Sequence, residues 1–261
     1  MDINLQHKNA LVCGGSDGIG KAVAIELALL GAAVTLLARN SEKMTALVAT
    51  LAQDHGQQHD FVVADFEDRA GLEGKVQALV ARKPIHILIN NTGGPPGGPI
   101  RTATPAAFLQ AFSNHLICNQ LLAQAVVPSM QENGYGRIIN IISTSVKQPL
   151  NNLGVSNTIR GAVANWAKTL ANEIGAFGIT VNNVLPGATS TGRLTSIIQS
   201  KAKKTGASEE KVAAGMRSII PLGRFGEPAE IAAAVAFLAS PAAAYVTGIN
   251  LPVDGGRTKS L

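Results

Sequence analysis

Short β-branched apolar runs alternate with longer Ala-rich amphipathic runs along the whole chain, and that alternation leaves few folds open. The strand-like runs are Asn9–Cys13, Ala33–Leu37, Asp60–Ala64, Ile85–Asn90, Arg137–Ile142, Gly178–Val184 and Gly248–Leu251. Between them lie the helix-like runs Ile19–Leu30, Ser41–His55, Arg69–Arg82, Pro105–Met130, Ser156–Ala176 and Pro228–Ala239. Strand–helix alternation of this kind reads as βαβ units in a parallel sheet. The strand runs are nearly continuously apolar, as expected where helices cover both faces of the sheet. The expected fold is therefore α/β, a doubly wound parallel sheet of about seven strands. No Pro/Ser-rich linker divides the chain, so one domain is expected over residues 1–261, with an insertion at about 189–224 whose middle has helical character.

Composition removes several alternatives. Hydrophobic residues make up 46% and charged residues 15%, which excludes a disordered chain. The longest apolar stretch, Ala22 to Ala38, is interrupted by Glu26 and Gly31, short of the roughly 20 apolar residues of a membrane span. Residues 1–10 lack the apolar centre of a secretory leader, and a cytoplasmic location is expected. Cys13 and Cys118 are the only cysteines, so neither a disulfide framework nor a metal site is expected. The net charge of +5 comes from scattered side chains, and aromatics are only 4%. Without a basic stripe or a stacking platform, nucleic acid is not an expected partner.

The first strand runs into Gly14-Gly15-Ser16-Asp17-Gly18-Ile19-Gly20 and then a helix. Glycines allow a tight turn and close approach of backbone to a pyrophosphate, and the helix start supplies N–H donors. The second strand ends at Arg39-Asn40 with no acid until Glu42. An arginine there suits the 2′-phosphate of NADP, where an acid would suit the ribose of NAD. Asp17 is an adverse charge for a phosphate, so NADP is favoured and NAD stays open. Two irregular segments follow strands and so border the ligand crevice: Gly93–Pro99 and the insertion.

These residues resemble the short-chain dehydrogenase/reductase family, which has a Rossmann-type fold. The glycine loop, Asn90-Asn91-Thr92-Gly93, Pro186-Gly187, Tyr245-Val246-Thr247-Gly248 and Val253-Asp254-Gly255-Gly256 follow the family order. The similarity is closest to its β-ketoacyl carrier-protein reductase-like branch. The resemblance implies that Gly14, Ser16, Gly18, Ile19 and Gly20 wrap the pyrophosphate. Arg39 and Asn40 would face the adenosine ribose phosphate, with Asp65 and Phe66 beside the adenine. Asn90, Thr92 and Gly93 would border the cofactor, and Pro186, Gly187, Thr189 and Thr191 would line the nicotinamide. It further implies an oxidoreductase acting on a small carbonyl or hydroxyl compound, an acyl thioester among the options, and a homodimer or homotetramer.

The family's catalytic group is Asn, Ser, Tyr and Lys. Asn114 and Ser143 stand where the first two belong. The Tyr-x-x-x-Lys motif is expected thirteen residues after Ser143, where this chain reads Ser156-Asn157-Thr158-Ile159-Arg160. A serine hydroxyl is a far weaker acid than a phenol and needs a strong base to give up its proton. A guanidinium stays protonated and cannot be that base; Arg160 can still hydrogen-bond a ribose hydroxyl. Lys147, in the loop after Ser143, is the expected substitute proton donor. His115 reads as packing, because neighbouring helical residues point about 100° apart. Three readings remain open at this point: a reductase with a rewired proton donor, a non-catalytic dinucleotide-binding homologue, and a lyase or isomerase using the same crevice.

Overall fold

All seven apolar runs become strands, and they pair in parallel in the order β3-β2-β1-β4-β5-β6-β7. The strands are β1 (Asn9–Cys13), β2 (Ala33–Ala38), β3 (Asp60–Val63), β4 (Ile87–Asn91), β5 (Gly136–Ile141), β6 (Ile179–Pro186) and β7 (Asn250–Val253). This computed structural model describes residues 1–260; Leu261, the end of the expected domain, lies outside them. The helices are α1 (Gly18–Leu29), α2 (Ser41–Val48), α3 (Arg69–Val80), α4 (Pro105–Phe112), α5 (Cys118–Glu132), α6 (Gly154–Ile174), α7 (Gly192–Thr205), α8 (Glu209–Arg217) and α9 (Pro228–Ala239). The chain leaves β1 toward β2 and β3, then returns past β1 to β4. That reversal opens a crevice at the carboxyl ends of β1 and β4, where ligands bind in open α/β sheets.

Successive strand residues face opposite sides of the sheet, and here both sides are dry. Val12, Leu36, Ile89, Ile139 and Val184 pack on one side with Val23, Leu27 and Val235 of α1 and α9. Leu11, Leu37, Leu88, Ile138 and Val181 pack on the other with Val76, Val126 and Ala167 of α3, α5 and α6. Continuous apolar strands are the consequence of this double cover.

Near the carboxyl ends of the strands the second face turns polar. Asn90 pairs with Asn140 and Asn140 with Asn183, while Asn183 lies opposite Asn250. The in-register side chains form an amide ladder: Asn90 Nδ2 donates to Asn140 Oδ1 (2.9 Å), Asn140 Nδ2 to Asn183 Oδ1 (2.8 Å), and Asn183 Nδ2 to Asn250 Oδ1 (2.9 Å). Each amide offers both donors and an acceptor, so the row links four strands and leaves Asn90 Oδ1, at its end, without a partner among the described residues.

Three helices depart from the periodic reading. α2 stops at Val48 instead of running to His55. The following segment turns back so that buried Gln57 can donate to Ala28 O and Ala52 O. The long run from Pro105 is broken by a π-helical turn at Ser113–Ile117. The insertion folds as two helices, α7 and α8, joined at Gly206, whose φ of +70° is the left-handed cap that glycine tolerates.

Candidate active site

The glycine loop is tighter than its sequence alone requires. Gly14 and Gly18 have φ of +58° and +52°. A Cβ on Gly14 would sit 2.6 Å from Asn91 O, and one on Gly20 would sit 2.1 Å from Gly14 O. Asp17 caps α1 by accepting from Gly18 N. The next N–H groups of that first turn have no helical partner, and the glycines beside them carry no Cβ. This cradle fits a pyrophosphate. Ser16 is half-buried within it, and Ile19 turns its side chain onto the core, leaving its backbone for the loop surface. The adverse charge of Asp17 is met by Lys43 Nζ at 2.7 Å. Lys43 hydrogen-bonds Asp17 and, with the Gly18 N–H, holds that carboxyl below its ordinary range.

Just past the carboxyl end of β2, Arg39 is exposed and its Nη1 lies 3.8 Å from Asp65 Oδ2. Asn40 uses its side-chain oxygen to cap α2, accepting from Lys43 N at 2.8 Å. Asp65 accepts from Glu67 N, and Phe66 packs against the α3–α5 side of the core. Arg39, Asp65 and Lys43 are thus gathered on one side of the glycine loop, Lys43 without having been expected there.

Pro186 ends β6. At Gly187 a Cβ would come 2.7 Å from Asp254 Cα, so the chain crossing requires glycine there. Thr189 is buried and donates to Gly187 O, while Thr191 donates to Thr189 O and caps α7. The Thr191 methyl would lie 3.3 Å from a Cβ on Gly18. The start of the insertion is therefore folded over the glycine loop.

The remaining expected residues gather beyond β4 and β5. Ser143 follows β5 and accepts from Ser145 N at 3.1 Å, starting a short 3₁₀ turn that Lys147 closes, half-buried. Ser156 and Arg160 lie on α6, 9% and 7% exposed. The Ser156 hydroxyl has no hydrogen-bond partner among the described residues. Arg160 donates from Nη1 to Ile141 O and from Nη2 to Thr92 O, both at 3.4 Å. It therefore bridges the carboxyl ends of β5 and β4. Asn114 is half-buried in the π turn and accepts from Gln110 Nε2. Gly93 is exposed in the loop after β4. Asn90 departs from expectation: 2% exposed, it gives its side chain to the amide ladder, not to the crevice. Both tyrosines lie away from this cluster. Tyr135 precedes β5, at the opposite end from Ser143, and donates to Ala239 O; Tyr245 is wholly exposed.

Two residues that the periodic reading passed over join the cluster. His115 is 3% exposed and shares a short hydrogen bond with the Thr92 hydroxyl. Its burial agrees with the expected packing role, and the hydrogen bond to Thr92, made from within the π turn, is what the sequence did not announce. Arg193, two residues past Thr191, donates to Gly94 O (3.2 Å) and Pro95 O (3.5 Å). Its place after the crossing at Thr191 was the available signal. The field here is positive. Burial, then Arg160 and Arg193, push the His115 pKa down to about 3. Burial and then Arg193 lower Arg160 to about 10, so it stays charged at neutral pH while His115 stays neutral.

Comparison with known proteins agrees with this architecture. A family model described as Enoyl-(Acyl carrier protein) reductase matches residues 14–258. The NADPH-dependent reductase BacG of Bacillus subtilis is 30% identical over 261 residues, covering 98% of this chain and 100% of BacG. The 3-oxoacyl-acyl-carrier-protein reductase FabG of Haemophilus influenzae is 35% identical over 255 residues, 97% of this chain and 98% of its own. The crystal structure of L-sorbose reductase from Gluconobacter frateurii, complexed with NADPH and L-sorbose, matches with a TM-score of 0.93 at 29% identity over 100% of both chains. With the sheet order, the glycine cradle and these matches spanning nearly its full length, the chain belongs to the short-chain dehydrogenase/reductase family.

Proposed function

We propose that this protein is an NADPH-dependent reductase of a small carbonyl compound whose proton donor is not the family's tyrosine. The observation that carries the reading is Arg160: a buried cation anchored on the ends of β4 and β5, in the sequence position of the family's lysine. A homologue that had abandoned the crevice would have little reason to keep a desolvated charge there, because burying a charge is costly. NADPH as cofactor is supported by Arg39 at the end of β2 and by the NADPH-linked relatives.

The bound cofactor would supply the hydride; orientation and proton supply fall to the protein. Gly14, Gly18 and Gly20 hold the pyrophosphate and Arg39 the 2′-phosphate. Arg160 hydrogen-bonds the ribose. Ser143 donates a hydrogen bond to the substrate oxygen, with Ser156 as a second donor in the space a larger ring would fill. Neither serine is acidic enough to release its proton unaided. Lys147, in the same loop as Ser143, is the donor in this reading. Loss of a general acid typically lowers rate by about 10²–10⁴.

The test is NADPH consumption with a pooled set of ketones and β-ketoacyl thioesters. Wild type, Lys147→Ala and Ser156→Tyr/Arg160→Lys are compared. Wild-type turnover that falls about a hundredfold or more in Lys147→Ala supports the assignment. Turnover unchanged in Lys147→Ala removes Lys147 from the role. Turnover in the double variant alone overturns the reading in favour of a binding homologue with an intact cofactor site.

A further inference from the structure

Arg160 and Arg193 reach the crevice from different elements, α6 and the first turn of α7, and meet at one place. A Cβ on Gly94 would lie 2.9 Å from Arg193 Nη2 and 3.6 Å from Arg160 Nη2. The two nitrogens are thus no farther apart than the sum of those distances. One carboxylate, with two oxygens and a charge-assisted hydrogen bond of about 2.8 Å on each side, spans that gap.

No carboxylate among the described residues does so. The ion pairs among the described residues engage Arg39, Lys43, Arg217 and Arg224. Arg160 and Arg193 have only main-chain carbonyls, at 3.2 to 3.5 Å. Those are long contacts for a guanidinium, which makes its strong bonds to carboxylate or phosphate. Two like charges held together, one of them buried, are unfavourable unless an anion completes them. His115, the remaining titratable group against them, is neutral and offers no compensating charge.

We propose that Arg193 and Arg160 form an anion subsite for the substrate, which is therefore a carbonyl compound bearing a carboxylate. This rests on the reductase reading for the identity of the crevice. A cofactor phosphate is the other source of such an anion, and the position argues against it. The glycine cradle follows β1, whereas the arginines hang on Thr92, Gly94 and Pro95 past β4 and on Ile141 at the end of β5. That is the Ser143 side of the crevice, one to two strands across the sheet from the strand that carries the cradle.

The probe is malonate, with dimethyl malonate as its neutral counterpart, measured by thermal shift on the NADPH-bound protein. Wild type should be stabilised by malonate and not by the diester. Arg193→Leu should weaken malonate about ten- to a hundredfold, the range for a lost hydrogen bond to a charged group, with NADPH affinity within about twofold. Arg193→Lys, which keeps the charge without the planar fork, should restore part of the response. Arg193 is exposed on the first turn of α7, and far-UV circular dichroism checks that both variants fold. Loss of NADPH affinity with an unchanged malonate response would assign the guanidinium to the cofactor and overturn the proposal. So would equal stabilisation by acid and diester, or none by either. None of these readouts requires turnover, so an inactive enzyme with a malonate-specific response would sink the reductase reading and leave the subsite standing.

Discussion

His115 should make the fold sensitive to mild acid. Its ring is nearly inaccessible, and burial with the charges of Arg160 and Arg193 holds its pKa at about 3 against an ordinary 6.5. In the unfolded chain the ring takes up a proton below 6.5, while the folded chain refuses it until about 3. The unfolded state therefore binds more protons throughout that window, and stability drains as pH falls. Each pH unit well inside the window is worth about 1.4 kcal/mol. Going from about pH 7 to about pH 5 enters the window by roughly one and a half units, a loss of about 2 kcal/mol. That is a large share of the 5–15 kcal/mol typical of a domain. The assay is urea unfolding of wild type and His115→Gln at both pH values. Glutamine keeps a hydrogen-bonding group for Thr92 but does not titrate. His86 is also held low by burial, but it is present in both proteins and cancels in the difference. Asp17, Glu230 and Asp254 are lowered from ordinary values of 3.8 to 4.5, so their contributions are lost mainly at more acidic pH. Wild type should lose about 2 kcal/mol more than the variant. Equal losses would refute the reasoning.

Two further outcomes follow from the geometry. Asn140→Ala strands Asn90 Nδ2 and Asn183 Oδ1 in the interior, at about 1–3 kcal/mol each, so urea unfolding should show a loss of about 2–6 kcal/mol. Asn90→Ala, at the ladder's end, should cost about half as much. Equal effects would mean that the ladder does not act as a chain. Gly20→Ala gains about 1 kcal/mol of helix propensity but drives a Cβ to 2.1 Å from Gly14 O. Overpacking of about 1–3 kcal/mol or more must then move the cradle, and NADPH affinity should fall at least about tenfold in a fluorescence titration. Unchanged affinity would separate the tight loop from cofactor binding.

Much of the scaffold was legible because it is written in local chemistry. β-branched runs of five or so residues have no other stable use between Ala-rich helices, and all seven became strands. The Gly14–Gly20 turn was legible because only glycine tolerates its dihedrals and contacts. The expectation that Ser156 and Arg160 stand in the places of the family's Tyr and Lys rests on counting from Ser143. Helix ends were less legible. α2 stops at Val48 because Gln57 finds carbonyls on α1 and just after α2, a partner that no local pattern announces.

What the chain's order of residues determined by itself was therefore the sheet, its double cover and the glycine turn, since each follows from periodicity or from steric limits within a few residues. The electrostatics of the crevice came from long-range assembly. His115 meets Thr92 because the helix after the Gly/Pro loop packs across the end of β4. Four asparagines become a ladder because parallel pairing sets Asn90, Asn140, Asn183 and Asn250 side by side. Arg193 meets Arg160 because the crossing at Gly187 folds the insertion back over the loop after β4. Charges far apart in sequence act on one another only through distance in space, and packing sets that distance.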